Sequence, residues 1–310
     1  MWQSLKTTKL AQVFVTHDDK AERLFEVCGK IKPEAICLVL SSLPGSVQRV
    51  LQWRSLNIPV LAIWGDLESP EQVRLSQKLE PVVDFNIYTA TSVALHGIKT
   101  AKPYVYFWVP KDKAVFYNPK ITRDIDVSFV GTLRPGRAKV INYLRKHKVK
   151  VLVKGGDLST KEYAEILQRS KISLNFSCSG WLPVVTARSF EITACGAMLL
   201  EEASPETAKL FIPGVDYVPW FSKKELLEKI RYYLKRDQER EMISRSGWAR
   251  YSRDYSAKKF WQTVIKMIQG TERPPPAVKL LALKDWRLRL SDYFFQNKIW
   301  SSICYYLERI

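Results

Sequence analysis

The chain is poor in the side chains that build metal and disulfide centres. Its three histidines, His17, His96 and His147, have no zinc-ligand spacing, and its five cysteines (Cys28, Cys37, Cys178, Cys195, Cys304) form no CxxC pair. Scattered cysteines fit a reducing, cytoplasmic compartment, where thiols serve as small core side chains. No apolar run approaches the roughly 18–20 residues that a membrane span needs. The opening MWQSLKTTKLAQVFVTH has neither an apolar core nor a small-residue cleavage site, so no secretory signal is expected. The nucleophile elbow, Walker loop, HExxH and GxGxxG patterns are missing too, which argues against catalysis by those routes. Acidic residues are also in deficit, 31 against 49 Lys and Arg, for a formal net charge of +18.

What is present is enough for real cores: 310 residues, 46% hydrophobic and 12% aromatic. The positive charge is unevenly spread. Residues 1–115 carry 14 Lys/Arg against 11 Asp/Glu, residues 116–270 carry 28 against 16, and residues 271–310 carry 7 against 4. The excess is therefore concentrated in the second segment. A basic surface there attracts anions: phosphorylated substrates, an anionic membrane face or nucleic acid. A merely well-solvated surface is the plainer explanation.

Short apolar runs alternate with amphipathic ones along the first 115 residues. QVFVT, AICLVL, PVLAIW, FNIYTA and YVYFWV have the β-branched and aromatic character of buried strands, and DKAERLFEVCGK and SVQRVLQWRSL have helical character. Residues 110–126 are prolyl and charged without sustained period, as a linker is. The alternation then restarts: DVSFVG, RAKVINYLRKH, VKVLVKGG, STKEYAEILQRS, ISLNFS, VTARSFEITACG, AMLLEE, SPETAKLF, DYVPW and SKKELLEKIRYYLKR. Ser159 with Glu162, and Ser222 with Glu225, have capping-box spacing. Gly196 stands where a C′ glycine ends a helix, and Ser204–Pro205 reads as N-cap followed by N1. The expected architecture is α/β, with two tandem Rossmann-like, doubly wound parallel-sheet domains at 1–115 and 116–270. A tail at 271–310 interleaves aromatic and basic residues. It suits a pair of helices packing back on the body, or an interfacial helix resting on anionic lipid.

Within RSFEITACGAMLLEE a carboxylate, Glu191, interrupts an apolar helical run. Buried carboxylates are rare unless paired, so Glu191 asks for a partner. Arg188, three residues earlier on the same helix, is one candidate and a ligand is the other. Two strand ends run into basic, glycine-containing loops. Gly131 is followed by Thr132, Arg134, Gly136 and Arg137, and Lys154 by Gly155 and Gly156. Such loops offer backbone N–H groups and cations to an anion.

Residues 125–255 resemble the C-terminal domain of GT-B glycosyltransferases, in particular the subgroup that includes the spore-maturation CgeB-like proteins. The likeness lies in order and spacing: a strand ending FVG, a strand ending KGG, RxFExxACG, an apolar strand, then FxPGxDY. The first segment is similar more loosely, through IKPEAICLVL, NIPVLAIWGD and YFWVP. The resemblance implies a glycosyltransferase using a nucleoside-diphosphate sugar; with no DxD-type pair at a strand end of the second segment, no metal or other cofactor is expected. In that family the glutamate of the ExxACG segment looks toward the donor, which makes Glu191 the ligand of the ribose hydroxyls. Arg137 and Lys154 would face the diphosphate, and Arg188, Gly131, Arg134 and Gly155 complete the expected donor-binding set. Many retaining members carry a second glutamate eight residues earlier, and here that position is Pro183.

On the acceptor side, Asp66 follows the apolar run AIW and is the expected general base, with His17 and the adjacent Asp18 competing for that role. An aspartate after a strand also serves as a plain N-cap. The charge excess points to an anionic acceptor or surface: a polysaccharide, a lipid-linked glycan or another polyanion, with peripheral contact at the inner face of a membrane. The alternative is a non-catalytic protein of the same fold that binds nucleic acid through its basic face, a partner that no recognised nucleic-acid module supports.

Overall fold

The structure is a computed structural model that describes residues 21–40, 54–64, 83–88, 104–106, 110–156, 158–179, 182–183, 185–270, 282 and 284–290. The chain divides into two compact units, Met1–Pro110 with Ala257–Lys279 and Lys111–Ser256 with Leu280–Ile310.

In the first unit, strands β1 (Ile36–Leu40), β2 (Val60–Trp64), β3 (Phe85–Tyr88) and β4 (Tyr104–Tyr106) pair side by side in chain order, all parallel. Helix α1 (Ala21–Ile31) precedes β1. Every residue of β2 is buried, as a central parallel strand with both faces covered requires. The one polar atom on the β2 side chains, Trp64 Nε1, donates to buried Asn86 Oδ1 at 2.7 Å.

The second unit holds β5 (Ile125–Val130), β6 (Val151–Lys154), β7 (Ser170–Asn175), β10 (Met198–Glu202) and β11 (Val218–Trp220) in one parallel sheet, in the order β6-β5-β7-β10-β11. A two-stranded hairpin, β8 (Cys178–Ser179) with β9 (Leu182–Pro183), is inserted after β7. The helices are α2 (Pro135–Lys146), α3 (Thr160–Arg169), α4 (Ala187–Ala194), α5 (Pro205–Ala208), α6 (Lys223–Leu234) and α7 (Asp237–Asp254). Val127, Phe129, Ile172, Leu174, Met198 and Leu200 of the central strands meet Ile141 and Leu144 of α2 and Leu226 and Ile230 of α6 in one core. An edge-to-face chain of rings, Phe129–Phe176–Trp220 at 5.1 and 5.5 Å, crosses the carboxyl end of that sheet. After α7, helix α8 (Ala257–Ile268) buries Phe260, Trp261, Val264 and Met267, the apolar stripe of an amphipathic helix. Among the described residues no helix is long and apolar enough to cross a membrane.

Local sequence signals explain most helix ends. Ser159 and Glu162 form the reciprocal capping box of α3, and Ser204 caps α5 with Pro205 at its first position. Gly196 takes φ +72° directly after the last residue of the α4 C-cap, a conformation that favours glycine. At α6 only half of the expected box forms. Ser222 Oγ accepts from Glu225 N, but the Glu225 carboxylate reaches Phe221 N at 2.9 Å, one residue ahead of the cap. Lys229 explains the choice, since its Nζ holds the other Glu225 oxygen at 2.6 Å and fixes the side chain.

Residues 111–124, linker-like in sequence, are packed on the second unit. The Arg123 guanidinium donates to the carbonyls of Leu167, Gln168, Ser170 and Cys195, at the buried carboxyl ends of α3 and α4. A cation there satisfies orphan carbonyls and opposes two helix dipoles at once. Asp216 of the FxPGxDY segment is a second internal lock. It accepts from Ile212 N, Ser246 Oγ and Arg250 Nε, tying the turn before β11 to α7. In the tail, Leu288 is buried, and Arg287 lies 3.8 Å over the Phe221 ring and 3.9 Å from Glu225. The aromatic remainder of the tail is outside the described residues.

Candidate functional site

In open parallel sheets a ligand crevice forms beyond the carboxyl ends of the strands where the strand order reverses. In the second unit that point is the junction of β5 and β7, because the chain runs from β5 outward to β6 and then returns to β7 on the other side. Gly131, immediately after β5, and Asn175, the last residue of β7, stand at this junction.

Arg188, from the first turn of α4, reaches into it. Its Nη1 donates to Asn175 Oδ1 at 2.8 Å, and its guanidinium lies 5.2 Å from the centre of the Phe129 ring. A Cβ on Gly131 would sit 2.3 Å from Arg188 Nη2, so the glycine is what lets the cation lie across the strand end. No carboxylate pairs with Arg188 among the described residues, and its Nε is buried without a hydrogen-bond partner. Arg137, from the first turn of α2, comes to the same place, 5.9 Å from the Phe129 ring and 5.8 Å from Phe176, with Nη1 donating to Thr132 O at 3.1 Å. An anion placed beside the Phe129 ring would meet positive charge from two different helices. The start of α4 is open as well. The side chain of its N-cap residue, Thr186, makes no cap hydrogen bond and instead accepts from Asn175 Nδ2 at 2.7 Å.

Behind Arg188 runs a polar chain that sequence reading did not single out. Asn175 Nδ2 also donates to Ser189 Oγ at 3.0 Å, and Ser189 Oγ donates to Glu201 at 2.9 Å. Glu201, at the end of β10, is fully buried and accepts further from Ser177 Oγ and from Thr207 Oγ1 at 3.1 Å. Burial pushes its carboxyl above the ordinary value, and the hydroxyl donors offset only part of that. In sequence it was one letter of the strand AMLLEE.

Glu191 lies one turn along α4 from Arg188 and is 8% exposed. The two do not pair. Glu191 Oε1 meets Lys111 Nζ at 2.6 Å, and Oε2 accepts from the Tyr163 phenol at 2.5 Å. Arg188, one of the two candidate partners, is engaged by Asn175 and Phe129 instead. Burial first, and then the Glu191 carboxylate, push the Tyr163 phenol well above its usual range, so it remains a neutral donor. The Tyr163 ring is itself held edge-on by Phe116 at 5.9 Å.

The structure thus brings Gly131, Arg137, Arg188 and Glu191 toward one edge. Gly155 joins by backbone packing, since a Cβ there would be 2.6 Å from Gly131 O, and Lys154 joins through its carbonyl, which accepts from Gly131 N at 2.8 Å. The side chains of Lys154 and Arg134 are exposed. Pro183 lies in the β8–β9 hairpin that leads into α4. Asp66, His17 and Asp18 lie outside the described residues. Lys111, Tyr163 and Glu201 are the site residues that sequence reasoning missed.

Residues 118–266 match the family model described as Glycosyl transferase-like. That stretch is a little under half of the chain and is similar to the family. No curated protein matches the chain in sequence. Among solved structures, Anabaena Alr3699/HepE in complex with UDP and glucose is similar with a TM-score of 0.61 at 12% identity, covering 84% of this chain and 86% of that one. A glycosyltransferase from Rickettsia africae gives 0.59 at 11% identity over 87% and 88% of the two chains. Sucrose-phosphate synthase from Thermosynechococcus elongatus gives 0.58 at 11% identity over 85% and 83%. The fold is GT-B, with two Rossmann-like domains, as the sequence implied.

Proposed function

We propose that the chain transfers a glycosyl group from a nucleoside-diphosphate sugar, with the donor held by the second unit. The observation that carries this reading is the pair of guanidinium groups, Arg188 and Arg137, at the Phe129 ring where the strand order reverses. A diphosphate placed there meets two cations and the uncapped N–H groups of α4. As the glycosidic bond breaks, negative charge grows on the leaving diphosphate, and fixed donors aimed at that charge lower the barrier. In this reading these side chains carry the neutralising role themselves. Glu191, one turn along, would accept from the ribose hydroxyls, since a carboxylate offers more lone-pair directions than Lys111 and Tyr163 occupy. Support comes from the shared fold: the HepE structures are complexes with UDP and UDP-glucose.

The acceptor is proposed to be anionic or presented at an anionic surface. From Arg134 to Lys154 the chain carries eight Lys/Arg and no Asp or Glu, more positive charge than one diphosphate needs. Asp66 is proposed as the base that activates the acceptor hydroxyl, with His17 as the competing candidate. That basic run also favours a second reading, a GT-B protein that binds nucleic acid without catalysis. The test is to incubate the protein with UDP-, GDP-, ADP- and dTDP-glucose and assay released nucleoside diphosphate, with Arg188→Met as control. Release from one donor that is lost in the variant supports transfer. No release from any donor, together with DNA binding that falls steeply with salt, favours the second reading.

A further inference from the structure

Resting on the donor reading of Glu191, we infer that Lys111 is a positioning residue that keeps the two charged side chains of α4 apart, so that each is available to a different part of the donor. Arg188 and Glu191 are three residues apart on one helix, the spacing at which opposite charges pair by default. Such a pair would cancel the cation meant for phosphate and cover the carboxylate meant for hydroxyls. The structure prevents it from both sides. Asn175 Oδ1 and the Phe129 ring hold Arg188 toward the strand junction, 2.8 and 5.2 Å away. Lys111 Nζ, arriving from the segment that precedes the second sheet, sits 2.6 Å from Glu191 Oε1 and supplies the positive charge that Arg188 withholds. Tyr163 takes the other oxygen, Oε2.

The division of contacts matters as much as the charge. Lys111 and Tyr163 each use a different oxygen, so the carboxylate plane is fixed and each oxygen keeps a lone-pair direction. Two adjacent ribose hydroxyls need two acceptors in a fixed plane. Lys111 is nearly buried, with 14% of its side chain exposed, and its ammonium lies 6.0 Å from the Phe116 ring, whose other neighbour is Tyr163. Phe116 therefore braces both partners of Glu191. Removing Lys111 leaves a buried carboxylate short of a cation, and Arg188 is the nearest cation on the same helix face. Its swing toward Glu191 would weaken diphosphate and ribose recognition together.

The experiment is a set of nucleotide titrations on the full chain. UDP, GDP, ADP, their 2′,3′-dideoxy counterparts and inorganic pyrophosphate are titrated into wild type, Lys111→Met, Lys111→Arg, Tyr163→Phe, Glu191→Gln and the Lys111→Met/Glu191→Gln double variant. The expected result is that Lys111→Met weakens the preferred ribonucleotide by about 10- to 100-fold. It also lowers the ribo-to-dideoxy preference and weakens pyrophosphate. Lys111→Arg restores most of the loss, and the double variant is little worse than Glu191→Gln alone, as coupled residues behave. A Lys111→Met protein with wild-type ribo-to-dideoxy preference and pyrophosphate affinity overturns the inference, whatever its melting temperature. Should Lys111→Met fail to fold, Tyr163→Phe decides: an unchanged ribo-to-dideoxy preference overturns the paired-oxygen arrangement and a reduced one upholds it. If Glu191→Gln itself leaves that preference intact, the ribose reading fails and the inference with it. If Glu191→Gln abolishes the preference and Lys111→Met does not, only the positioning role is lost.

Discussion

Glu191 and Glu201 are buried carboxylates on consecutive elements of the same unit, and they are kept there by opposite means. Glu191 has a cation, Lys111, and a phenol, one on each oxygen. Glu201 has neutral donors, the hydroxyls of Ser177, Ser189 and Thr207 and the amide of Asn175, and no cation among the described residues. A carboxylate held by one donor on each oxygen keeps the acceptor directions a ligand uses. One surrounded by hydroxyls in a dry interior drifts toward its neutral form and works as a fastener. Through Ser189 and Asn175 that fastener reaches Arg188, so the second glutamate supports the site without facing it.

The comparison breaks most visibly in Glu201→Ala. Three hydroxyls lose their acceptor and a cavity opens at the sheet end, so unfolding free energy should fall by roughly 3–5 kcal/mol in a denaturant titration. A loss under about 1 kcal/mol would mean that the network is not a fastener. Arg188→Met probes the other side. It should leave the melting temperature nearly unchanged and lower kcat by about 10²–10³-fold, roughly 3–4 kcal/mol of barrier. A folded variant with wild-type turnover contradicts the placement of the diphosphate.

A pH series tests the burial of Glu201 by its sign. The Glu201 carboxyl is raised from its ordinary 4.5, so above that value the native state binds more protons than the unfolded state. Its contribution to stability is therefore complete below about pH 4.5 and is lost as pH rises through the folded pKa. The stability of wild type minus that of Glu201→Gln should fall with rising pH in that window, by up to about 1.4 kcal/mol per unit. A flat difference would show that Glu201 is not shifted. The smallest expected effect is Ser159→Ala. It removes one arm of the capping box on α3, the helix that carries Tyr163, and should cost about 1 kcal/mol of stability. A weakened nucleotide affinity in that variant would show that α3 transmits strain to Glu191.

Much of the second unit was readable because its signals are local. The strand runs, the Ser159–Glu162 box, the Gly196 C′ position and the Ser204–Pro205 start all depend on residues within a few positions of one another, and all appear in the structure. Glu191 could be picked out for the same reason, as a charge in an apolar helix. Its partners could not. Lys111 comes to it from a segment whose sequence looks like a linker and Tyr163 from α3, both through tertiary packing, and the only local candidate, Arg188, is engaged elsewhere. Glu201 escaped because a carboxylate at a strand end looks like a solvent-facing terminus until the hydroxyls of three other elements close over it.

The most direct test of the account is calorimetric titration of UDP, GDP, ADP and dTDP into wild type and Glu191→Ala. Wild type should bind one of the four, and the variant should bind the same nucleotide more weakly by about 1–3 kcal/mol. No binding of any of the four by folded wild type would contradict it.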